Sequence, residues 1–198
     1  MRLSRLRGSL SLLVRVTECL NYFKEPWYID WIHRVGRTEA NRVSKHSMKI
    51  GSRVDEIIKA NGAPTTKDNA EVHSCMASYN KWKAIYQPKE IVNGERLYRT
   101  IDGLEVTGEP DIFVDGVLVD IKCSSKISPG YWLQVNAYRY LQGDKGRVGI
   151  LRLDKTTGSY EYVVKDYDQR LVECWIGLLK AFVYYKGDDD GGLNIQEI

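Results

Sequence analysis

Residues 108–122 read GEPDIFVDGVLVDIK, two short runs of Val, Ile, Leu and Phe broken by Asp115-Gly116. An Asp-Gly pair between two such runs is the signal of a two-residue β-hairpin, because both turn positions take positive φ. Once the turn is placed, the register follows: Val114 opposite Val117, Phe113 opposite Leu118, Ile112 opposite Val119 and Asp111 opposite Asp120. Alternation along the strands then sends Ile112, Val114, Val117, Val119 and Ile121 to one face. Asp111, Asp120 and Lys122 share the other. The apolar face predicts a core contact and the charged face predicts a site.

Opposed like charges on neighbouring strands, with Cβ atoms roughly 5 Å apart, repel unless something positive lies between them. Lys122 supplies one cation. Two hard carboxylates at that separation also suit Mg²⁺ or Mn²⁺, ions that keep several waters when bound. A plainer reading is a solvated surface hairpin with a Lys122–Asp120 ion pair. The Gly-x-Pro-Asp sequence at the register a metal needs favours the site.

The rest of the chain frames this hairpin. Helical patterns run around Leu10 to Phe23, Trp27 to His33, Glu39 to Ala60 (stopped by Asn61-Gly62) and Glu71 to Tyr86. Asn93-Gly94, Asp102-Gly103 and Asp115-Gly116 then predict consecutive hairpins, an antiparallel meander. Ser128-Pro129 opens a further helix that Gly143 stops. Strands follow at Arg147 to Leu153 and Tyr160 to Lys165, and Leu171, Cys174, Trp175, Leu178 and Phe182 mark an amphipathic closing helix. This order predicts an α/β or α+β fold, a central mixed sheet with helices on its faces. Expected divisions are a helical N-terminal region over 1–50, a core over 51–186 and a flexible acidic tail over 187–198.

At 198 residues the chain is long enough for one sizeable core. Cys19, Cys75, Cys123 and Cys174 form no C-x-x-C pair, which argues against a zinc ribbon or a local iron–sulfur loop and fits reduced thiols. Leu10 to Val14 is too short an apolar run to span a membrane and no cleavage site follows it, so a soluble, cytoplasmic protein is expected. An organellar transit peptide is the alternative, given the Arg-rich start. Residues 1–53 hold eleven Lys/Arg against four Asp/Glu, and the remainder eighteen against twenty-two. A basic front suggests a polyanionic partner or a solvated helical surface.

Gly108-Glu-Pro-Asp111, Asp120-Ile-Lys122 and Gln134-Val-Asn-Ala-Tyr138 occur in that order, with a hairpin and a helix between them. Together they resemble the PD-(D/E)xK nuclease superfamily, and within it the RecB-like branch of phage and CRISPR-associated exonucleases. The resemblance covers about Gly51 to Leu141 and implies a restriction-endonuclease-like core and metal-dependent hydrolysis of phosphodiesters. In that comparison Asp111 and Asp120 hold one or two Mg²⁺ or Mn²⁺ ions, with the Ile121 carbonyl as a further ligand. Lys122 orients the attacking water, and Gln134 and Tyr138 position DNA or the Lys122 strand. The branch places a histidine in an upstream G-x-x-x-H helix, where this chain has Gly51 to Asp55. Asp55 is the expected ligand there, with Glu56 as runner-up, and Glu90 is a candidate for the acidic residue upstream of Pro-Asp. No iron–sulfur cluster is expected, since only Cys174 follows Cys123.

The basic front would capture DNA through Arg34, Arg37, Arg42, Lys45, Lys49 and Arg53. Trp27, Tyr28 and Trp31 between them either stack on an unpaired end or pack the helices onto the sheet. The expected function is a metal-dependent exonuclease acting from single- or double-stranded DNA ends in recombination, repair or phage DNA processing. A phage-encoded chain would act in the host cytoplasm. The alternatives are a catalytically weak DNA-binding or assembly module on the same fold and a structure-specific endonuclease. No helicase motif is present, so a helicase or recombination protein would be a separate partner, and no membrane is involved.

Overall fold

The computed structural model describes residues 13–189. Its frame is a five-stranded mixed sheet in the order β2 (Ile91–Asn93), β5 (Ile112–Val114), β6 (Val117–Cys123), β7 (Val148–Leu153) and β8 (Tyr160–Lys165). β6 and β7 run parallel and the other neighbours are antiparallel. The parallel pair needs a crossover, and α5 (Pro129–Gln142) makes it. Ser128 Oγ accepts the Gly130 N–H at its start, and Gly143 ends it at φ 91°. The β5–β6 hairpin has the expected register, with Asp115 and Gly116 at φ 49° and 80°.

Both faces of this sheet are covered. α3 (Arg37–Lys59) and α4 (Ala70–Tyr86) bury Ile50, Val54, Met76 and Trp82 against Ile112, Val114, Val117, Val119 and Leu151. On the opposite side α1 (Val16–Tyr22), α5 and α6 (Gln169–Asp189) bury Cys19, Val135, Tyr138 and Trp175 against Leu118, Val148 and Ile150. Each buried Val, Leu or Ile contributes about 1.5–3 kcal/mol relative to leaving it in water. The face bearing Asp120 and Lys122 is therefore not open along its length. Leu118 closes it, and only the C-terminal end of β6 is left polar.

Several expectations are corrected. Leu13–Arg15 is a strand, β1, within the stretch predicted as a first helix. Its single buried side chain, Val14, follows strand alternation, and β1 pairs parallel with β4 (Leu104–Gly108), which pairs antiparallel with β3 (Leu97–Ile101) in a second, three-stranded sheet. The region 1–50 is thus not wholly helical, and a boundary at residue 50 falls inside α3. Asp102-Gly103 makes a hairpin as expected, but Asn93-Gly94 does not, since β2 joins β5 and not β3. Glycine is required at 94 by close approach: a Cβ there would lie 2.0 Å from the Pro110 carbonyl oxygen, and the Gly94 N–H donates to the Asp111 carbonyl at 2.9 Å. In α6 the buried residues include Val172, Trp175, Leu179 and Phe182, and Cys174 is exposed. Residues 187–189 of the predicted tail belong to α6, and residues 1–12 and 190–198 lie outside the described residues.

Candidate active site

The ladder of the hairpin stops at Ile112 and Val119, so Asp111 is not paired directly with Asp120 as alternation suggested. Asp111 instead turns its carboxylate onto β6, where Oδ2 accepts the Ile121 N–H at 2.6 Å. The turn before it is clamped by Glu109, which binds Lys59 of α3 at 3.1 Å and Arg96 at 2.8 Å. Gly108 lies so near the Tyr138 ring that a Cβ would stand 2.5 Å from it. The Gly-x-Pro-Asp motif is thus pinned from three sides.

Asp120, 1% exposed, and Lys122 project from β6 toward α5. The Gln134 amide spans them. Its Nε2 donates to Asp120 Oδ1 at 2.9 Å, and its Oε1 accepts from the Lys122 ammonium at 3.1 Å. Nε2 also lies 2.9 Å from the Tyr138 hydroxyl, as the i, i+4 spacing on one helical face allows. Lys122 Nζ approaches Asp120 Oδ2 to 2.8 Å and stands 5.0 Å from the centre of the Tyr131 ring. Beyond this ammonium, the buried Oδ2 meets no hydrogen-bond donor among the described residues.

The electrostatics follow from burial and crowding. Burial pushes the Asp111 carboxyl up, and the Asp120 charge adds to it, to about 8 despite Lys122 and the Ile121 N–H. Asp120 is pushed up by burial too, with Lys122 opposing. Burial works against the Lys122 charge, but Asp120 and Asp111 outweigh it and hold the ammonium above its usual range. The site thus concentrates negative charge that one lysine does not neutralise.

A cleft of about 470 Å³ opens onto Asp111, Asp120, Lys122, Gln134 and Tyr138, with Asp55, Met48 and Ser52 of α3 on its far side. Asp55 faces the aspartate pair and raises the pKa of both, while its carboxylate pairs with Lys59 at 3.1 Å. Glu56 lies outside this cleft, bound to Arg53 at 3.1 Å in a neighbouring basic groove with Lys45 and Lys49. Glu90 heads β2 at the turn end of the hairpin, where its backbone exchanges hydrogen bonds with Asp115, away from Asp111. Among the described residues no three His, Cys, Asp or Glu side chains converge on one point as a metal cage. The donor set is two carboxylates, Asp120 Oδ2 among them with the Lys122 ammonium beside it, and such a set suits a hard cation that retains water.

The six basic residues divide in two. Arg42 is held by both Glu39 oxygens at 2.7 and 2.8 Å, and Arg53 by both Asp68 oxygens at 2.7 and 3.2 Å. Arg34, Arg37, Lys45 and Lys49 make no ion pair among the described residues. The histidines lie elsewhere: His46 meets Glu71, and His73 Nε2 is 3.0 Å from the Thr65 carbonyl oxygen. No helix among the described residues is long and apolar enough to cross a membrane.

Sequence reading missed the supports. Gly94 and Gly108 were visible as glycines, but the need for each comes from a distant residue. Glu25 was also missed. It lies in the link to α2 (Pro26–Val35), where it accepts the Ser128 hydroxyl at 2.5 Å and the Gly130 N–H at 3.3 Å, capping the helix that carries Gln134. Only a contact across more than a hundred residues reveals it.

No protein-family model matches the sequence, and no curated protein matches it. Among solved structures, an alkaline exonuclease from Laribacter hongkongensis superposes with a TM-score of 0.51 at 13% identity, over 87% of this chain and 86% of that one. A candidate exonuclease from Eubacterium rectale superposes with a TM-score of 0.52 at 14% identity, over 70% of this chain and 65% of that one. The likeness is one of fold: this chain has the α+β architecture of these exonucleases, six helices and two mixed sheets among its described residues.

Proposed function

We propose that this chain is a metal-dependent deoxyribonuclease that hydrolyses DNA from an end, on the PD-(D/E)xK plan. The observation that carries the reading is the Asp111/Asp120 pair, crowded and desolvated at the end of β6 with the Lys122 ammonium 2.8 Å from Asp120. Its fold likeness to exonucleases agrees with end-dependent cutting in recombination, repair or phage DNA processing.

Asp111 and Asp120 would hold Mg²⁺ or Mn²⁺, with the Ile121 carbonyl and Asp55 as further donors, and the ion when bound would polarise the phosphate and acidify its water. The remaining work falls to this chain's own groups. Lys122 faces the same cleft, positively charged, and offsets charge that develops on the phosphoryl oxygens. Gln134 fixes the relative position of Asp120 and Lys122 through one amide, so neither needs to reorganise when substrate arrives. Tyr138, its hydroxyl pushed above the usual phenol range by burial, stays protonated and supports that amide. Asp55 would add a donor from α3, and Lys59, which pairs with its Oδ2, also holds Glu109.

The test incubates wild type and Lys122→Ala with end-labelled linear and covalently closed circular DNA, in Mg²⁺, Mn²⁺ or chelator. The expected result is metal-dependent loss of the linear substrate alone, reduced at least about a hundredfold in the variant, the scale of one electrostatic catalytic group. Cutting of the circle would replace the exonuclease reading with an endonuclease. Inert wild type that still binds DNA would make the fold a binding module.

A further inference from the structure

Helix α2 is out of keeping with its composition. It carries Trp27, Tyr28, Ile29, Trp31 and Ile32, yet none of its ten residues is buried. The expectation that these aromatics pack onto the sheet is not met. Tyr28, Trp31 and Ile32 are half-buried, with the Tyr28 hydroxyl 3.3 Å from Ser44 of α3, while Trp27 and Ile29 are exposed.

Beneath the first turn of α2 lies a cleft of about 590 Å³ between α1 and the N-terminal end of α5, of small-ligand size. Phe23, Trp27, Pro129 and Tyr131 give it aromatic and apolar walls, and Trp27 is 47% exposed. Tyr131 and Gln134 line both this cleft and the one at Asp111 and Asp120, so the two adjoin. Cations rim it: Lys126 Nζ stands 5.4 Å from the centre of the Trp27 ring, and Lys24 Nζ 5.5 Å from that of Tyr28. Its one carboxylate, Glu25, is already engaged by Ser128, Gly130 and the Trp27 indole. An uncharged aliphatic ligand has no use for the lysines. A flat ring carried on a polyanionic chain uses both.

We propose that this cleft is a stacking subsite for one unpaired nucleobase of the DNA strand whose phosphate lies at Asp111, Asp120 and Lys122, with Trp27 as the stacking face. The inference rests on the nuclease reading for the identity of the strand. Because every base offers a π-face, the subsite tolerates sequence but demands a base that is out of the duplex. It therefore makes the substrate at this point single-stranded or frayed.

The test measures binding of the full-length protein to fluorescent single-stranded oligonucleotides by anisotropy, with Ca²⁺ in place of Mg²⁺ and again in chelator. A single abasic site is moved through the oligonucleotide. At one position wild type is expected to lose about tenfold in affinity, the scale of one base–aromatic stack. Trp27→Ala loses the same factor on intact DNA and nothing more at that position, and Trp27→Phe keeps most of the affinity. 2-Aminopurine at that position is quenched on binding wild type, which reads stacking without any substitution. Wild-type affinity in Trp27→Ala, or an abasic penalty equal at all positions, overturns the subsite. A protein that cleaves DNA without this profile loses the subsite alone. One that shows the profile without cleaving keeps the subsite and loses the hydrolytic reading.

Discussion

Asp111 shows in one side chain how this fold trades stability for a charged site. Its carboxyl is raised to about 8, against about 3.9 in an unfolded chain. A carboxyl raised in this way favours the folded state only while protonated. Its contribution is whole below about pH 4 and is lost as the pH climbs toward 8. Asp111→Asn is uncharged throughout and still accepts the Ile121 N–H, so the variant is expected to be more stable than wild type in chelator. The gain grows from pH 5 to pH 8 and reaches at least about 2–4 °C in Tm, which corresponds to ~1 kcal/mol in a chain of this size. Calorimetry across that range checks it, and equal melting at pH 8 would mean that the pair is not strained. Mg²⁺ should raise the Tm of wild type at pH 8 and leave the variant unmoved. The residues of this cluster were legible from spacing alone, since alternation puts Asp111, Asp120 and Lys122 on one face. Their crowding was not, because it depends on α5 lying over them.

At the scale of elements, the hairpin and α5 announce themselves through local chemistry: Asp115-Gly116 for positive φ, Ser128-Pro129 for a helix start and Gly143 for its stop. β1 does not: three residues long, it is a strand only because β4, distant in sequence, offers an edge. β2 was expected as a strand before Asn93-Gly94, but its pairing with β5 and not β3 was not. The glycines make the same distinction testable. Gly94→Ala sets a Cβ against the Pro110 backbone, which cannot yield cheaply, and the expected cost is about 1–3 kcal/mol together with displaced Asp111 and lost cleavage. Gly51→Ala, at a half-buried position inside α3, meets nothing within 4 Å and is expected to stabilise by about 0.5–1 kcal/mol, the gain of removing glycine from a helix interior. Paired thermal melts of the two variants, with cleavage assays, separate close approach from conformational freedom. Destabilisation of equal size in both would refute the packing argument.

For the whole molecule, the uneven charge is a matter of which cations are still available. Arg42 and Arg53 each hold a carboxylate in both prongs, whereas Lys45 and Lys49 flank the groove beside the site without an ion pair among the described residues. Lys45→Ala and Lys49→Ala are each expected to lower the slope of log Kd against log salt by about 0.7–0.9, one phosphate contact apiece. Arg42→Ala and Arg53→Ala should lower it less. Titrations at four or five salt concentrations decide this, and equal slopes for all four variants would place the DNA elsewhere on the surface.

The sequence by itself determined the periodic helices, the hairpin register, the capped crossover and the identity of the charged cluster, because each of these is written within a few residues by backbone sterics and alternation. Tertiary structure decided the rest: that Leu13–Arg15 became a strand, that β2 joined β5, that Glu56 and Glu90 stand apart from Asp111, and that Trp27 was left exposed beside the cleft. Those outcomes depend on contacts such as Gly94 with Pro110, Glu25 with Ser128 and Val14 with β4. No local rule carries them, since each partner is specified only when the chain has closed around it.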